Sequence, residues 1–392
     1  MGDFDRGSVV FKHSSDDFIV QEISEDGVVA KISENKEIFN KTPDLSKINI
    51  DDRRTFLSCE MEKINIDHFN AIQDLCFKLG KQAHEIGFAG TKDKTAWTCQ
   101  RISIFDPDIE KIKQFSHPNI YLKNFKWIKH KIKIGDLKGN QFRIVLRDAD
   151  DQALKVLNRL RNSTHLPNLF GMQRFGTRKD NFTIGRLILK KKFQEAVLAY
   201  LIGYGDKEKE EIKKAKKRLQ LSKDIQAAVE YFPLELHTEH KMIQYLIENP
   251  KDYIGALKII GEKALLIMCQ SVQSHLFNEI LERGMEEKII SKDSEISLIG
   301  YDYKDSNTRI SRIEQEILQE NSLSTADFKV EALPYLSLRF SKRKALFEVQ
   351  NLDITTEEDE LFKPSKKIKL SFQLDSGSYA TTLLDNFFEL RY

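Results

Sequence analysis

The sequence predicts an α+β chain, in which a sheet-based domain is interrupted by a helix-rich insertion and then completed by the last strand and helix. Three observations predict it. Strand texture fills the first third, helix-period segments dominate from about Phe182 to Gly284, and strand texture returns at Lys366-Lys367-Ile368-Lys369-Leu370-Ser371-Phe372. A chain of 392 residues is long enough for two domains.

In chain order, Asp17 to Ile23, Gly27 to Ile32 and Arg54 to Lys63 are rich in β-branched and aromatic residues and read as strands. From Asp67, an N-cap type, Phe69, Ile72, Leu75, Cys76 and Leu79 recur at helical spacing, and Gly80 marks the end. Thr98 to Phe105 alternates, with Gln100, Ile102 and Ile104 on one face and Cys99, Arg101 and Ser103 on the other. Read as a strand, Trp127 to Ile134 sets Trp127, Lys129, Lys131 and Lys133 against Ile128, His130, Ile132 and Ile134, a cationic face backed by a core face. Leu154, Leu157 and Leu160 indicate a helix that also carries Lys155, Arg159 and Arg161. Phe193 to Ile202, Glu210 to Leu221 and Ala264 to Arg283 have helical period. No internal repeat is visible.

The apolar runs are short and broken by charges, and Met1 to Arg6 opens without an apolar leader, so neither a membrane span nor export is expected and the cytoplasm is the expected location. Cys59, Cys76, Cys99 and Cys269 form no C-x-x-C pair, which argues against a disulfide framework or a zinc knuckle. A net charge of +2 says little about nucleic acid, but residues 123–147 hold eight Lys or Arg against one acid, Asp136. Lys207 to Arg218 is also basic, and a solvated helix face explains it. His237 and His240 flank Glu239 without a further ligand, so no metal is expected.

Three short constellations stand out. In Gly90-Thr91-Lys92-Asp93-Lys94 a carboxylate between two lysines stays ionised and can act as nucleophile or base, although spacing alone favours a solvated turn. In Gly135-Asp136-Leu137-Lys138-Gly139-Asn140-Gln141-Phe142, Phe142 is placed either to stack on an unpaired base or to join Ile144 and Leu146 in a core face. In Pro167-Asn168-Leu169-Phe170-Gly171-Met172-Gln173-Arg174-Phe175-Gly176, Gln173 and Arg174 are available to contact phosphates or base edges, or to brace a hinge.

In this order the segments resemble the tRNA pseudouridine synthase D (TruD) family, in its archaeal and eukaryotic form. That family has G-x-K-D-[KR]-x-A-x-T-x-Q, then G-N-x-F, then N-[YF]-F-G-x-Q-R-F-G. Further matches lie in Asp17 to Ile23, Gln273 to Asn278, Ser341 to Ala345 and Gly377 to Thr381, so the resemblance runs from near residue 16 to near residue 385. It implies a mixed-sheet pseudouridine synthase catalytic domain, residues 1–165 plus 341–392, and a helix-rich TRUD insertion, residues 166–340, with a cleft between them. Asp93 matches the catalytic aspartate, Asn140 and Lys92 its supporting residues, and Phe142 the aromatic that stacks on the target base. The chain departs from the family at Leu169, Gln141 and Leu384-Asp385, positions that bear on substrate more than on chemistry.

The implied reaction isomerises a uridine of tRNA, U13 in the family, to pseudouridine and needs no cofactor. It breaks the C1′–N1 bond and joins C5 to C1′ without redox change or net hydrolysis. A carboxylate serves by attacking C1′ or by taking a sugar proton. The base has to be flipped out, and the rest of the tRNA, or another structured RNA, is held through phosphates and shape. Lys129, Lys131, Lys133, Arg159, Gln173 and Arg174 suit that grip. No obligate protein partner and nothing beyond a monomer is indicated. The alternative is a non-catalytic protein that binds structured RNA.

Overall fold

The computed structural model describes residues 6–48, 55–176, 178–205 and 208–392, with the side chains of Met172 and Gln173 excepted. The chain divides into two compact units, Met1–Leu166 with Phe347–Tyr392, and Pro167–Leu346. The expected return to the first domain at Ser341 falls instead between Leu346 and Phe347. Ser341–Lys344 is hydrogen-bonded to Glu295–Leu298 of the second unit, and Ala345 is buried in that unit's core.

The first unit is built on a ten-stranded mixed sheet. Its strands are β1 (Gly7–Val10), β2 (Phe18–Ile23), β3 (Phe56–Ile64), β4 (Ile86–Phe88), β5 (Trp97–Phe105), β6 (Ile120–Ile128), β7 (Gly139–Ala149), β8 (Gln350–Glu358), β9 (Lys366–Asp375) and β10 (Phe388–Arg391). The path runs β8-β9-β7-β2-β5-β3-β6; β1 joins β7 and β10, and β4 joins β5. β2 and β5 are parallel and the other neighbours on the path antiparallel. The late strands therefore complete the early sheet, with β9 paired along β7 from Ala149 to Gly139.

Helix α1 (His68–Leu79) follows its sequence signals. The Asp67 side chain accepts from the N–H groups of Phe69 and Asn70, and Gly80 closes the helix at φ 65, where a Cβ is disfavoured. Helix α2 (Asp151–Arg161), capped by Asp150, buries Ala153, Val156, Leu157 and Leu160. Apolar residues on one face of the sheet form two clusters. One joins Phe18, Val20, Phe142, Ile144, Leu370 and Phe372 to α2, and the other joins Leu57, Cys59, Met61, Ile102 and Ile104 to α1.

Two expected strands are not formed. In Gly27 to Ile32 only Val29 bridges, to Ile23, because Gly27 at φ 84 turns the chain and the Ser24 hydroxyl bonds Val28. The strand expected over Trp127 to Ile134 stops at Ile128. Beyond it the backbone N–H groups turn to side chains, Ile132 to Ser103 at 3.0 Å and Lys133 to Asp136 at 2.7 Å, which replaces the ladder with a turn. The expected two-faced pattern is lost: Trp127 is buried and Ile134 is 71% exposed. Arg54, at the start of the third expected strand, lies outside the described residues.

The second unit is helical, with Asn181–Leu189, Phe193–Ile202, Glu210–Ser222, His237–Glu248 and Arg309–Glu320 around a 25-residue helix, Glu262–Glu286. Its apolar residues form one cluster, with Leu265, Val272, Leu276 and Phe277 fully buried on the long helix. Helix Glu210–Ser222 is not solvated on every basic residue. Lys216 is fully buried, its ammonium on the Gly203 carbonyl at 2.7 Å and near Glu208 and Glu239 at 3.2 and 3.8 Å. Lys207 lies outside the described residues. His240 bonds the Phe232 carbonyl at 2.8 Å.

Candidate active site

On the clustered face of the first unit's sheet, inward positions change from apolar to polar at a common level. Along β2 the sequence is Phe18, Val20, Glu22; along β7, read backward, Ile144, Phe142, Asn140; along β3, Cys59, Met61, Lys63. On β5 the polar pair Thr98 and Gln100 lies between Ala96 of one cluster and Ile102 of the other. Register brings these residues together, with Glu22 opposite Asn140, Thr98 opposite Lys63 and Gln100 opposite Met61. Glu22, Lys63, Thr98 and Gln100 are all buried, forming a polar strip across an otherwise apolar face.

The irregular segment between β4 and β5 is bonded to this strip. The Lys63 ammonium donates to the main-chain oxygens of Asp93 at 2.6 Å and Ile66 at 2.9 Å, and the Gln100 amide donates to that of Gly90 at 2.9 Å. Lys92 is buried and pairs with Glu22 at 3.0 Å; the other Glu22 oxygen accepts from the Arg101 N–H at 3.2 Å. The Asp93 main chain is thus held by a buried residue, while its side chain is not buried with it. That side chain is 51% exposed and faces the Lys12 ammonium at 3.3 Å. Lys12 is only 9% exposed and lies 4.1 Å from the centre of the Phe18 ring.

The expected pair of lysines around Asp93 is therefore rearranged. Lys92 is neutralised by Glu22, Lys94 is exposed, and the cation at the Asp93 carboxylate is Lys12. Adjacent residues on an extended loop point in different directions, so neighbours in sequence are poor partners. Burial pushes the Lys63 ammonium down to about 8, with Asp93 and Asp67 acting in the opposite direction. Burial also pushes His68, at the start of α1, down to about 4, with Lys63 and Lys92 adding to the effect.

Asn140 is partly buried, and its Oδ1 accepts no hydrogen bond from the described residues. Phe142 shares its face but is only 5% exposed, stacked on Phe372 at 5.3 Å. It occupies the core position that spacing favours. The basic residues differ among themselves. Lys129 and Lys133 are exposed, whereas the Lys131 ammonium bonds the His84 carbonyl. Arg159 bonds the Asn386 carbonyl at 3.2 Å and lies over Phe387, and in the second unit Arg174 bonds Ser274 at 3.0 Å and lies near Phe170. The Gln173 side chain lies outside the described residues. Leu169 packs against the second unit's core and Leu384 is buried in the first.

Sequence reading missed Lys12, Glu22 and Lys63. The signal for two of them was present. Glu22 and Lys63 are charges at inward positions of alternating strands, where burial without a partner is costly. Lys12 carried no such local signal.

The family model described as tRNA pseudouridine synthase D (TruD) matches residues 4–296 and 294–387. The chain belongs to this family. It is accordingly an enzyme of the isomerase class, a tRNA pseudouridine synthase by family. A Methanosarcina mazei relative named "Probable tRNA pseudouridine synthase D" is 29% identical over 385 residues, covering 86% of this chain and 88% of the relative. A Methanocaldococcus jannaschii relative named "Probable tRNA pseudouridine synthase D 1" is 29% identical over 395 residues, covering 97% and 95%. The crystal structure of a Methanosarcina mazei TruD protein is similar with a TM-score of 0.75 and 26% identity, over 98% of this chain and 94% of that one. The mixed sheet and helices of this chain match the TruD fold. Among the described residues no helix is long and apolar enough to cross a membrane, and no group of three His, Cys, Asp or Glu side chains is placed to hold a metal ion.

Proposed function

We propose that the chain isomerises one uridine of tRNA, position 13 by family, to pseudouridine, with Asp93 as the acting carboxylate and no cofactor. One observation carries this reading: Asp93 presents a half-exposed carboxylate beside Lys12 while its own main chain is tied to a buried ammonium. A carboxylate so held is accessible and oriented, as attack on C1′ or removal of a sugar proton requires.

Asn140, on the same sheet face, has a free carbonyl oxygen to meet a donor of the flipped base or sugar. Lys92 supports the loop through Glu22 rather than by touching the Asp93 carboxylate. Phe142 fits a wall beneath the site better than an open stacking platform, since a base can reach only a ring edge at 5% exposure. Exposed Lys129 and Lys133 are the expected basic residues best placed to meet RNA phosphates, and Lys131, Arg159 and Arg174 serve mainly packing.

The test uses the protein and its Asp93→Asn variant on unmodified tRNA. Carbodiimide-dependent stops in reverse transcription locate any pseudouridine, and chromatography measures free uracil. Stops with the native protein alone support the reading. Free uracil in their place indicates a hydrolase, and bound tRNA with neither product indicates a non-catalytic RNA-binding protein.

A further inference from the structure

A fully buried lysine on β3 stands outside the catalytic motif. Inward positions of β3 run Leu57, Cys59, Met61 and then Lys63, so the ammonium occupies a core position at the end of an apolar row. Burial of a charge is tolerated only when its donors are used. Here they are directed at main-chain oxygens, 2.6 Å to Asp93 and 2.9 Å to Ile66. One ammonium therefore ties the loop that carries Asp93 to the chain just before α1.

Gln100 holds the other end of the loop through the Gly90 carbonyl at 2.9 Å. Between the two contacts Lys92 is drawn down to Glu22 and the Asp93 side chain is left facing outward to Lys12. The carbonyl of Asp93 is fixed while its carboxylate is not buried, and rotation about the main chain is what the Lys63 bond opposes. We infer that Lys63 is a positioning residue for the reaction, which sets the direction of the Asp93 carboxylate by anchoring the Asp93 main chain. This rests on the reading of Asp93 as the acting group.

The charged and titratable groups facing Lys63 are Asp93 and Lys92 from the loop, Asp67 before α1 and His68 on α1. The acids favour the ammonium; Lys92 and burial oppose it. Since burial holds Lys63 down to about 8, the anchoring bonds are charge-assisted at pH 7 and lose that assistance at higher pH. Asp67, held below its ordinary value by main-chain N–H donors against the effect of burial, and His68, near 4, keep their charge states across that range, so neither supplies the change.

The experiment compares native protein with Lys63→Met, and needs two readouts. Hydrogen exchange of the peptide Gly87–Trp97 reports the anchor without reference to catalysis, and single-turnover pseudouridine formation with saturating enzyme reports the chemical step. The expected results are faster exchange confined to that peptide and a rate loss of about 10-fold to 100-fold, with tRNA affinity within about 3-fold of native. In the native protein the protection of the same peptide, corrected for intrinsic exchange, should fall between pH 7 and pH 9.5. That last measurement stands even where the variant does not fold. Unchanged protection across pH overturns the proposal, as does a variant whose loop loosens without loss of rate. A loss of rate matched by an equal loss of tRNA affinity assigns Lys63 a merely structural role and also overturns it. Full activity of Asp93→Asn would instead remove the reading of Asp93, while the exchange data still report whether Lys63 anchors the loop.

Discussion

The two units place buried charge differently. In the second unit one apolar cluster fills the interior, and the buried Lys216 is met by Glu208, Glu239 and a carbonyl. In the first unit a polar strip of Glu22, Lys63, Thr98 and Gln100 interrupts the apolar sheet face, and three of its members bond one loop, Lys63 and Gln100 as donors and Glu22 as acceptor. Polar groups in a core cost stability unless paired. The second arrangement spends its buried charge on helix packing; the first uses it to hold the segment that bears Asp93.

Substitutions can sharpen or break this contrast. The largest expected effect is that of Asp93→Asn, which should lower pseudouridine formation by about 1000-fold or more while costing only about 1 kcal/mol of unfolding free energy, because the carboxylate is half exposed although Lys12 loses its partner. A large loss of stability on urea unfolding would show that the carboxylate serves the fold. Next, Glu22→Ala leaves Lys92 buried without its partner and should cost about 3 kcal/mol together with activity. Leu276→Ala in the second core should cost a similar amount, about 3 kcal/mol, through a cavity, yet leave the single-turnover rate of the folded protein unchanged. Equal effects on rate would erase the distinction between the two interiors.

A pH dependence follows from His68. Its folded value is near 4 against 6.5 for the free side chain, so the unfolded chain binds more protons between those values. The contribution is fully present above pH 6.5 and is lost as pH falls toward 4, by up to about 3 kcal/mol. His68→Phe should flatten that part of the stability curve in denaturant titrations. The smallest effect is expected for Lys133→Ala: stability within about 0.5 kcal/mol of native, and tRNA binding whose dependence on log salt falls by roughly one unit. An unchanged salt slope would remove Lys133 from the RNA surface.

Much of the fold was legible because its signals are local. The Asp67 cap, the apolar spacing through Leu79 and Gly80 specify α1 within one segment, and the alternation of Thr98 to Phe105 specifies β5. The failures have causes that strand texture does not display. Gly27 and the Ser24 hydroxyl make a turn of a β-branched run, and Ser103 and Asp136 take the N–H groups that would have extended β6. Side chains from elsewhere decided that competition, so the strand texture of Trp127 to Ile134 was not sufficient.

By itself the sequence determined the α+β class, the interruption by helices and, through ordered motifs, the family and Asp93 as the candidate catalyst. Periodicity and motif order are properties of neighbouring residues and need no coordinates. Only the tertiary structure decided which cation meets Asp93. Lys12 reaches it from the segment between β1 and β2, Lys63 from β3, and Lys92, its neighbour, turns to Glu22. Sheet register brings those strands side by side, and the alternation of side chains across a strand decides which residues face the loop.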